Sequence, residues 1–525
     1  MEIRNVRELK PVKKAKKGIL NIVFSRVFIV VSLVVLQLLI FSGMITWLSD
    51  YVTYVYGFSV VLSIAAIIFI INSKSNSAFK ISWILLITAT PILGVAFYLF
   101  EKTQPGTAHL ERRLVELAKR TKPYMEQDKE VLELLRTSKP ANANLETYLN
   151  NKISYPVHRN TSVRYFPSGE EKFEALKEEL CRAEDYIFME YFIVEKGIMW
   201  NEILEILKKK AWEGVEVRFM YDGMCSMFYV PYNYDKELRR AGIKCKQFSK
   251  IRPVLSSYQN NRDHRKICVI DGKVAFTGGI NLADEYINVK ERFGHWKDTA
   301  IMLEGEAVQN FTMMFLEMWN ITERRPEDYA RYLTPKEDTL KREMGFVLPY
   351  ADSPFDKENI GKQVYLHILN HAKKYVHIMT PYLILDNEMI AGLEYAAKCG
   401  IEVIIIMPHI PDKWYAFVVA KTYYKELIDA GVQIYEYTPG FVHAKVFVSD
   451  NDTATVGTIN LDYRSLYHHF ECSAFIYANP VVWDVERDFQ ATLKKCEKVT
   501  KESLKKRNWF ERLAGRVLRL VAPLM

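Results

Sequence analysis

The chain has 525 residues, more than one ordinary domain holds, so two or three folded units are expected, and 49% hydrophobic residues are ample for a large core. The formal charge of +8 favours anionic partners, nucleic acid or anionic lipid, without choosing between them. Seven scattered cysteines, odd in number and without C-x-x-C spacing, exclude a disulfide framework and a zinc site and read as thiols of a reducing compartment.

Residues 1–26 carry eight basic side chains and two acidic ones. Apolar runs follow over Val27–Leu48, Tyr51–Ile71 and Ile81–Phe100, the last interrupted by Pro91 and Gly94. Each is long enough for the hydrocarbon core of a bilayer. The first is too long for a signal h-region, lacks a cleavage site and is followed by more apolar segments, so 1–102 reads as a membrane anchor with a basic N-terminus. The basic N-terminus and the basic tract after Phe100 both belong on the cytoplasmic side, which requires an even number of crossings. Three full spans break that parity, so either one segment is re-entrant or interfacial, or the charge rule fails here.

Residues 103–150 are polar and helix-leaning and read as a linker region. The body then repeats itself. An amphipathic helix and an apolar strand (FEALKEELCRAEDYIFMEYFIV) recur as VYLHILNHAKKYVHIMTPYLIL. Helices 199–213 and 387–399 follow, before the strands VEVRFMYD and IEVIIIMP. Next come a helix ending in Ala-Gly and a further strand in each half. Such alternation predicts α/β halves on partly parallel sheets, 151–335 and 336–500, joined by the polar stretch Thr322–Asp356.

Each half delivers one signature, H-x-K-x4-D-x6-G-x2-N. The first has His264, Lys266, Asp271, Gly278 and Asn281; the second has His443, Lys445, Asp450, Gly457 and Asn460. A single H-x-K on a strand is an ordinary surface pair. Recurrence of five positions at identical spacing makes it a catalytic signature. Two residues apart on a strand, His and Lys share a face. Converging twice with an asparagine amide, they form a cationic, donor-rich pocket for a phosphodiester. One imidazole would attack phosphorus and the other would move the proton of the leaving and entering alcohols. No H-E-x-x-H metal motif occurs, no cofactor is called for, and the lysines supply the cationic role.

Downstream the halves match again. Asp298 and Glu471 each fall three residues after a histidine, His295 and His468, and are assigned as the carboxylates that orient the catalytic imidazoles. Asp271 and Asp450 are kept in the catalytic signature, although four strand residues separate them from the lysines and a supporting role is expected. Glu190–Tyr191 and Pro381–Tyr382 are weaker candidates for the cleft wall, and His367, His371, His377 and His409 have no repeat partner.

These motifs are those of the phospholipase D superfamily. GGINLADEYI, GTINLDYRSLYHHFE, SWILLITATPILGVAFYLF and the ending RLVAPLM resemble bacterial cardiolipin synthase over nearly the whole chain. The resemblance implies phosphatidyl transfer between two phosphatidylglycerol molecules, giving cardiolipin and glycerol, by two similar halves around a pseudo-twofold axis. It implies His264 as nucleophile, His443 as general acid/base, and Lys266, Lys445, Asn281 and Asn460 as phosphate holders. Gly457–Thr458 replaces the more usual Gly-Ser and keeps a hydroxyl.

The C-terminal segment 501–525 is amphipathic, with Trp509, Leu513, Val517 and Leu520 on one face and Arg512, Arg516 and Arg519 beside it. It suits either an anionic membrane surface or packing on the body. The acceptor stays open: water would make a hydrolase, and another alcohol another phosphatidyltransferase. A nuclease shares the motifs, but the apolar segments argue against nucleic acid; the resemblance implies phosphatidylglycerol as the lipid partner in a bacterial cell membrane, crossed several times, and the basic flanks and free thiols favour a cytoplasmic catalytic region. A scaffold that keeps only the fold predicts loss of a catalytic His or Lys, and none is lost. The sequence leaves the oligomeric state open.

Overall fold

The computed structural model describes residue 39 and residues 52–103, 105–231, 233–249, 261–323, 325, 327–333, 344–356 and 358–524. The chain forms two compact units, Met1–Gln104 with Leu520–Met525, and Pro105–Arg519.

In the first unit, helix Val52–Ile71 is apolar throughout. Its stretch Thr53–Ile71 is the one helix among the described residues long and apolar enough to cross a membrane. The expected run Val27–Leu48 lies outside the described residues, apart from helical Leu39. The third run is not one span. It breaks into helices Ser77–Ala89 and Pro91–Lys102. The cause is local: the ring of Pro91 pushes Thr90 out of helical geometry, to φ −138° and ψ 74°. The two arms fold back on each other. A Cβ on Gly94 would stand 2.8 Å from the Ile87 Cα, and Trp83 meets the rings of Phe97 and Tyr98 at 5.5 and 5.2 Å. At 1.5 Å per residue each arm spans about 20 Å, short of a hydrocarbon core of about 30 Å.

In the second unit the two halves have one topology. The first half contains β1 (Thr161–Phe166), β2 (Tyr186–Tyr191), β3 (Glu216–Asp222), β4 (Lys244–Phe248), β5 (Arg262–Asp263), β6 (Ile267–Ile270), β7 (Val274–Gly278), β8 (His295–Lys297) and β9 (Ala300–Gly305). The second contains β10 (Phe346–Asp352), β11 (Tyr375–Met379), β12 (Glu402–Pro408), β13 (Gln433–Tyr437), β14 (Gly440–Val442), β15 (Val446–Ser449), β16 (Thr453–Gly457), β17 (His469–Tyr477) and β18 (Cys496–Lys498). The sheets run β1-β9-β7-β6-β2-β3-β4 and β10-β17-β16-β15-β11-β12-β13, with β18 added at the second edge. β2, β3 and β4 are parallel, as are β11, β12 and β13; the other pairs of the shared order are antiparallel.

Local chemistry sets these elements. Helix Gly169–Arg182 starts where Ser168 accepts from the Glu171 N–H, carries Glu170 and Glu171 at its positive end, and buries Phe173, Leu176 and Leu180 on one face. β2 is buried at all six residues because layers cover both its faces. Helix Val308–Asn320 is buried on nearly every side, polar Asn310, Thr312 and Asn320 included. Phe311, Met314 and Phe315 join Val269 and Ile301 of the first half and Val446 and Ala474 of the second in one core. The halves therefore share their hydrophobic interior. Helix Pro105–Thr121 lies against the same core through Leu110, and Arg113 donates to the Glu323 carbonyl at 2.7 Å.

Candidate active site

Short strands are exchanged across the seam. β5 pairs in parallel with the start of β17, His469 opposite Arg262, and β14 pairs in parallel with β8, Gly440 opposite His295. Each H-x-K follows such a strand. The His264 N–H donates to the Phe470 carbonyl at 2.9 Å, and the His443 N–H to the Lys297 carbonyl at 2.7 Å. The spacing predicts His and Lys on one continuous strand; instead residues 264–266 and 443–445 are links between two strands. The reason is that the strand before the link pairs with the other half, whereas the strand after it pairs at home. Within each link the ammonium turns back on its own histidine. Lys266 Nζ donates to the His264 carbonyl at 2.5 Å, and Lys445 Nζ donates to the His443 carbonyl.

The carboxylates are swapped between halves. His264 Nδ1 donates to Glu471, 2.9 Å from both oxygens, and His443 Nδ1 donates to Asp298 Oδ2 at 2.6 Å. Both carboxylates are fully buried. This fixes the tautomer of each ring and leaves each Nε2 with a lone pair. Glu471 also accepts from Ser465 Oγ at 2.7 Å and from Thr458 Oγ1. Asp298 instead accepts from the Thr299 N–H at 2.8 Å, and Gly279 stands where the second half has Thr458. A Cβ on Gly279 would fall on the Asp298 carboxylate.

Burial and mutual repulsion set the charge state. Desolvation first, then Lys445, depresses the His443 imidazole to about 4. Desolvation, then Lys266, holds His264 well below the usual histidine range. Desolvation lowers Lys266 to about 8 and Lys445 to about 7, Lys266 adding its own push on the latter. The cleft thus holds neutral imidazoles beside reluctant ammonium groups. An anion between the lysines attracts both cations, offsets that burial and repulsion, and draws protons in with it.

The asparagines differ. Asn281 Oδ1 accepts from the Ile193 N–H at 3.0 Å and its Nδ2 donates to Tyr286 Oη at 2.7 Å, so much of its amide is spent on the scaffold. The Asn460 Oδ1 is buried without a hydrogen-bond partner among the described residues. Asp271 and Asp450 stand at the far ends of β6 and β15, which corrects their grouping with the catalytic set. Asp271 accepts from the Glu184, Asp185 and Tyr186 N–H groups, each at 2.8 Å. Asp450 accepts from the Lys373, Lys374 and Tyr375 N–H groups at 2.7, 2.8 and 3.1 Å. Both have positive φ, 52° and 55°, and tie the turn after the signature strand to the start of β2 or β11. Gly278, at φ +148°, lies against the Thr299–Ala300 backbone, where a Cβ would be 2.5 Å from the Ala300 Cα.

Several groups at the site are absent from the repeated motif. Phe192 meets His264 edge-on at 4.6 Å and lies 5.2 Å under Lys266 Nζ. Tyr286 and Trp296 stand 5.5 and 5.4 Å from His443. None of these rings is marked by the repeated signature, whereas Thr458 is visible in the sequence as the retained hydroxyl. Glu190 does not line the cleft: it is fully buried and paired with Arg265 at 2.6 Å in the core. His377 is bound to Glu486 at 2.9 Å and stacked on Phe489, and His295 meets Tyr437 Oη at 3.1 Å. Ligand atoms of His264, His469 and Glu471 lie within 4.8 Å of one another. There Glu471 already takes one imidazole and two hydroxyls, so its capacity goes to orientation.

The family described as cardiolipin synthase, PLD-like domain, matches residues 176–319 and 365–493, and the phospholipase D-nuclease N-terminal family matches residues 61–100. The chain is 51% identical over 462 residues to an uncharacterized protein of Streptococcus mutans, spanning 88% of this chain and all of that one. It is 32% identical to a cardiolipin synthase of Halalkalibacterium halodurans, spanning 89% of this chain and 94% of that protein. It is 38% identical over 366 residues to cardiolipin synthase 2 of Bacillus anthracis, spanning 70% and 71%. The fold is similar to that of a phosphatidylserine synthase from Haemophilus influenzae, with a TM-score of 0.54 at 15% identity, covering 73% of this chain and 97% of that one. With two topologically equivalent α/β halves and a duplicated histidine–lysine seam, the chain belongs to the cardiolipin synthase family of phospholipase D-like proteins.

Proposed function

We propose that the seam transfers a phosphatidyl group from one phosphatidylglycerol to another, releasing glycerol and forming cardiolipin. The observation that carries this is the pair of imidazoles, each held at Nδ1 by a carboxylate of the other half and each beside a lysine. His443 takes up a proton at Nε2 as the anionic substrate binds; His264 Nε2 then attacks phosphorus, the P–O bond to the leaving glycerol breaks, and His443 gives that oxygen its Nε2 proton. The terminal hydroxyl of the second phosphatidylglycerol then attacks. Its proton passes to His443, the P–N bond breaks, and both histidines return to their starting states. Lys266 and Lys445, with Asn281 and Asn460, hold the non-bridging oxygens. Glu471 and Asp298 orient the rings and stabilise the imidazolium forms.

The anchor supports a lipid rather than a nucleic-acid substrate. In our reading the run Val27–Leu48 and the helix Thr53–Ile71 cross a bacterial cell membrane, and the hairpin Ser77–Lys102 enters without crossing. Two crossings put both basic flanks and the catalytic body in the cytoplasm. The halves run 151–335 and 336–500, after an anchor 1–102 and a region 103–150. In the final segment 501–525, helix Trp509–Val521 buries Gly515 against Val418 and leaves Trp509, Leu513 and Val517 exposed beside Arg512 and Arg516, which suits an anionic lipid surface.

The test is purified protein in detergent–lipid micelles with phosphatidylglycerol and excess chelator. Cardiolipin with equimolar glycerol is expected, and neither with His264→Ala or His443→Ala. Phosphatidic acid in place of cardiolipin would make the protein a hydrolase, and transfer only to other alcohols would make it a different phosphatidyltransferase.

A further inference from the structure

The pseudo-twofold site is electrically lopsided. Around His443 stand aromatic rings, Tyr286, Trp296 and Phe441 at 5.5, 5.4 and 5.8 Å. At the equivalent positions beside His264, His469 replaces Trp296 and Arg464 replaces Glu285. The His469 ring lies 5.5 Å from that of His264 and is 9% exposed. Arg464 Nε donates to His469 Nε2 at 3.3 Å, so the ring proton sits on Nδ1. That N–H is buried and, among the described residues, makes no direct hydrogen bond; it faces Glu471 Oε1 at 3.8 Å. Arg464 makes no ion pair among the described residues, whereas Arg262, opposite His469 across the strand pair, keeps Asp222 at 3.9 Å. Asp462 caps the next helix through the Ser465 N–H at 2.8 Å. Arg464, half-buried and with one donor spent on His469, thus keeps guanidinium N–H groups that pair with no carboxylate among the described residues, beside the ring that lies against the reacting histidine.

We infer that Arg464 and His469 form the subsite for the phosphodiester of the acceptor lipid, resting on the transfer proposed above. Each of the two substrates brings one phosphodiester charge into the cleft. The two lysines serve the phosphorus that reacts, and the second charge needs donors of its own. Its phosphate lies only three carbons from the hydroxyl that attacks, so its donors have to neighbour the reacting pair. In that step the P–N bond of the phosphatidyl-histidine breaks as the acceptor oxygen bonds phosphorus, and the hydroxyl proton passes to the other imidazole. Arg464 and His469 exchange no proton; they select an alcohol that carries a phosphate.

The test compares two acceptors on one donor, using the full chain in micelles. Cardiolipin formation requires the phosphate-bearing acceptor; incorporation of labelled free glycerol into phosphatidylglycerol uses the same first step with an acceptor that has none. Arg464→Met and His469→Phe are expected to lower cardiolipin formation at subsaturating lipid about tenfold or more, and glycerol exchange by less than about threefold, as for loss of a charge-assisted hydrogen bond to one ligand. Arg464→Lys keeps the charge and the fold and is expected to recover part of the loss. Equal loss of both activities in every variant, or no change in either, overturns the subsite. Wild-type protein that exchanges glycerol yet makes no cardiolipin overturns the proposed function, and the subsite's occupant with it.

Discussion

Asp298→Asn separates the shape of an orienting group from its charge. The Asp298 carboxylate is fully buried and 2.6 Å from His443 Nδ1. The amide keeps the volume and one acceptor oxygen, so the neutral imidazole of the resting site retains its hydrogen bond. What disappears is the attraction that develops when His443 becomes imidazolium during transfer. Two unit charges about 4 Å apart at an effective dielectric constant of about 20 interact by about 4 kcal/mol, which is about 10³-fold in rate. Initial rates of cardiolipin formation at saturating phosphatidylglycerol should therefore show kcat down about 10³-fold, with KM within about threefold and thermal stability within about 1 kcal/mol of wild type. Retention of kcat within tenfold would refute the reasoning. Asp298 would then be only a packing residue, and His443 would not pass through a charged state that the protein stabilises.

Other perturbations reach the same site by different routes. Lys445 is depressed to about 7 and Lys266 to about 8, so both lose charge on the alkaline side; kcat/KM should fall above a limb between pH 7 and 8, and a flat profile to pH 9.5 would deny the lysines their electrostatic role. A lysine whose folded pKa lies below its unfolded value leaves the unfolded chain holding more protons, so stability drops as pH falls from 10.5 towards 7; Lys445→Met should abolish transfer yet raise unfolding stability at pH 7 by about 2–4 kcal/mol, and a loss of stability would contradict the burial argument. Gly279→Ala pushes a Cβ onto the Asp298 carboxylate and should reduce kcat about 10²-fold or more without changing bulk secondary structure, measured by circular dichroism beside the rates. Asp271→Asn keeps the positive φ but weakens three hydrogen bonds that the carboxylate accepts from backbone N–H groups; thermal unfolding should register a loss of about 1–3 kcal/mol, while kcat per folded molecule stays within about threefold.

What the sequence reveals depends on the range of the interaction. Alternating apolar strands and amphipathic helices are local, and their repetition discloses two similar α/β halves. The break at Pro91 is local too, although hydropathy alone runs straight through it. The separation of Asp271 and Asp450 from the lysines follows from counting strand residues. The exchange of carboxylates does not, because Glu471 and Asp298 sit equally well beside either histidine in an alignment of the repeats. Only the pairings of β5 with β17 and of β14 with β8, between residues far apart in the chain, decide which histidine each reaches. His469 was hidden for a related reason: the repeat sets it against Trp296, and a tryptophan gives no hint of an ionisable partner.

The swapped pairs bear on why one chain carries both halves. Within this structure each histidine takes its orienting carboxylate, and the acceptor for its own backbone N–H, from the other half. A half alone would hold an imidazole with no fixed tautomer beside a lysine lowered by burial, and it could neither attack phosphorus nor return a proton. A symmetric pair of identical halves would repair the orientation but give both histidines the same surroundings. The fused chain escapes that constraint. Glu471 receives two hydroxyls and Asp298 none that the repeat would mirror, Arg265 faces Ala444 across the repeat, and Arg464 with His469 stands opposite Glu285 with Trp296. In two-step transfer one imidazole carries the phosphatidyl group while the other gives up a proton and takes one back, and a fused chain can fit each to its part. On the proposed reading, two molecules of one lipid, as donor and as acceptor, meet two different walls of a single cleft.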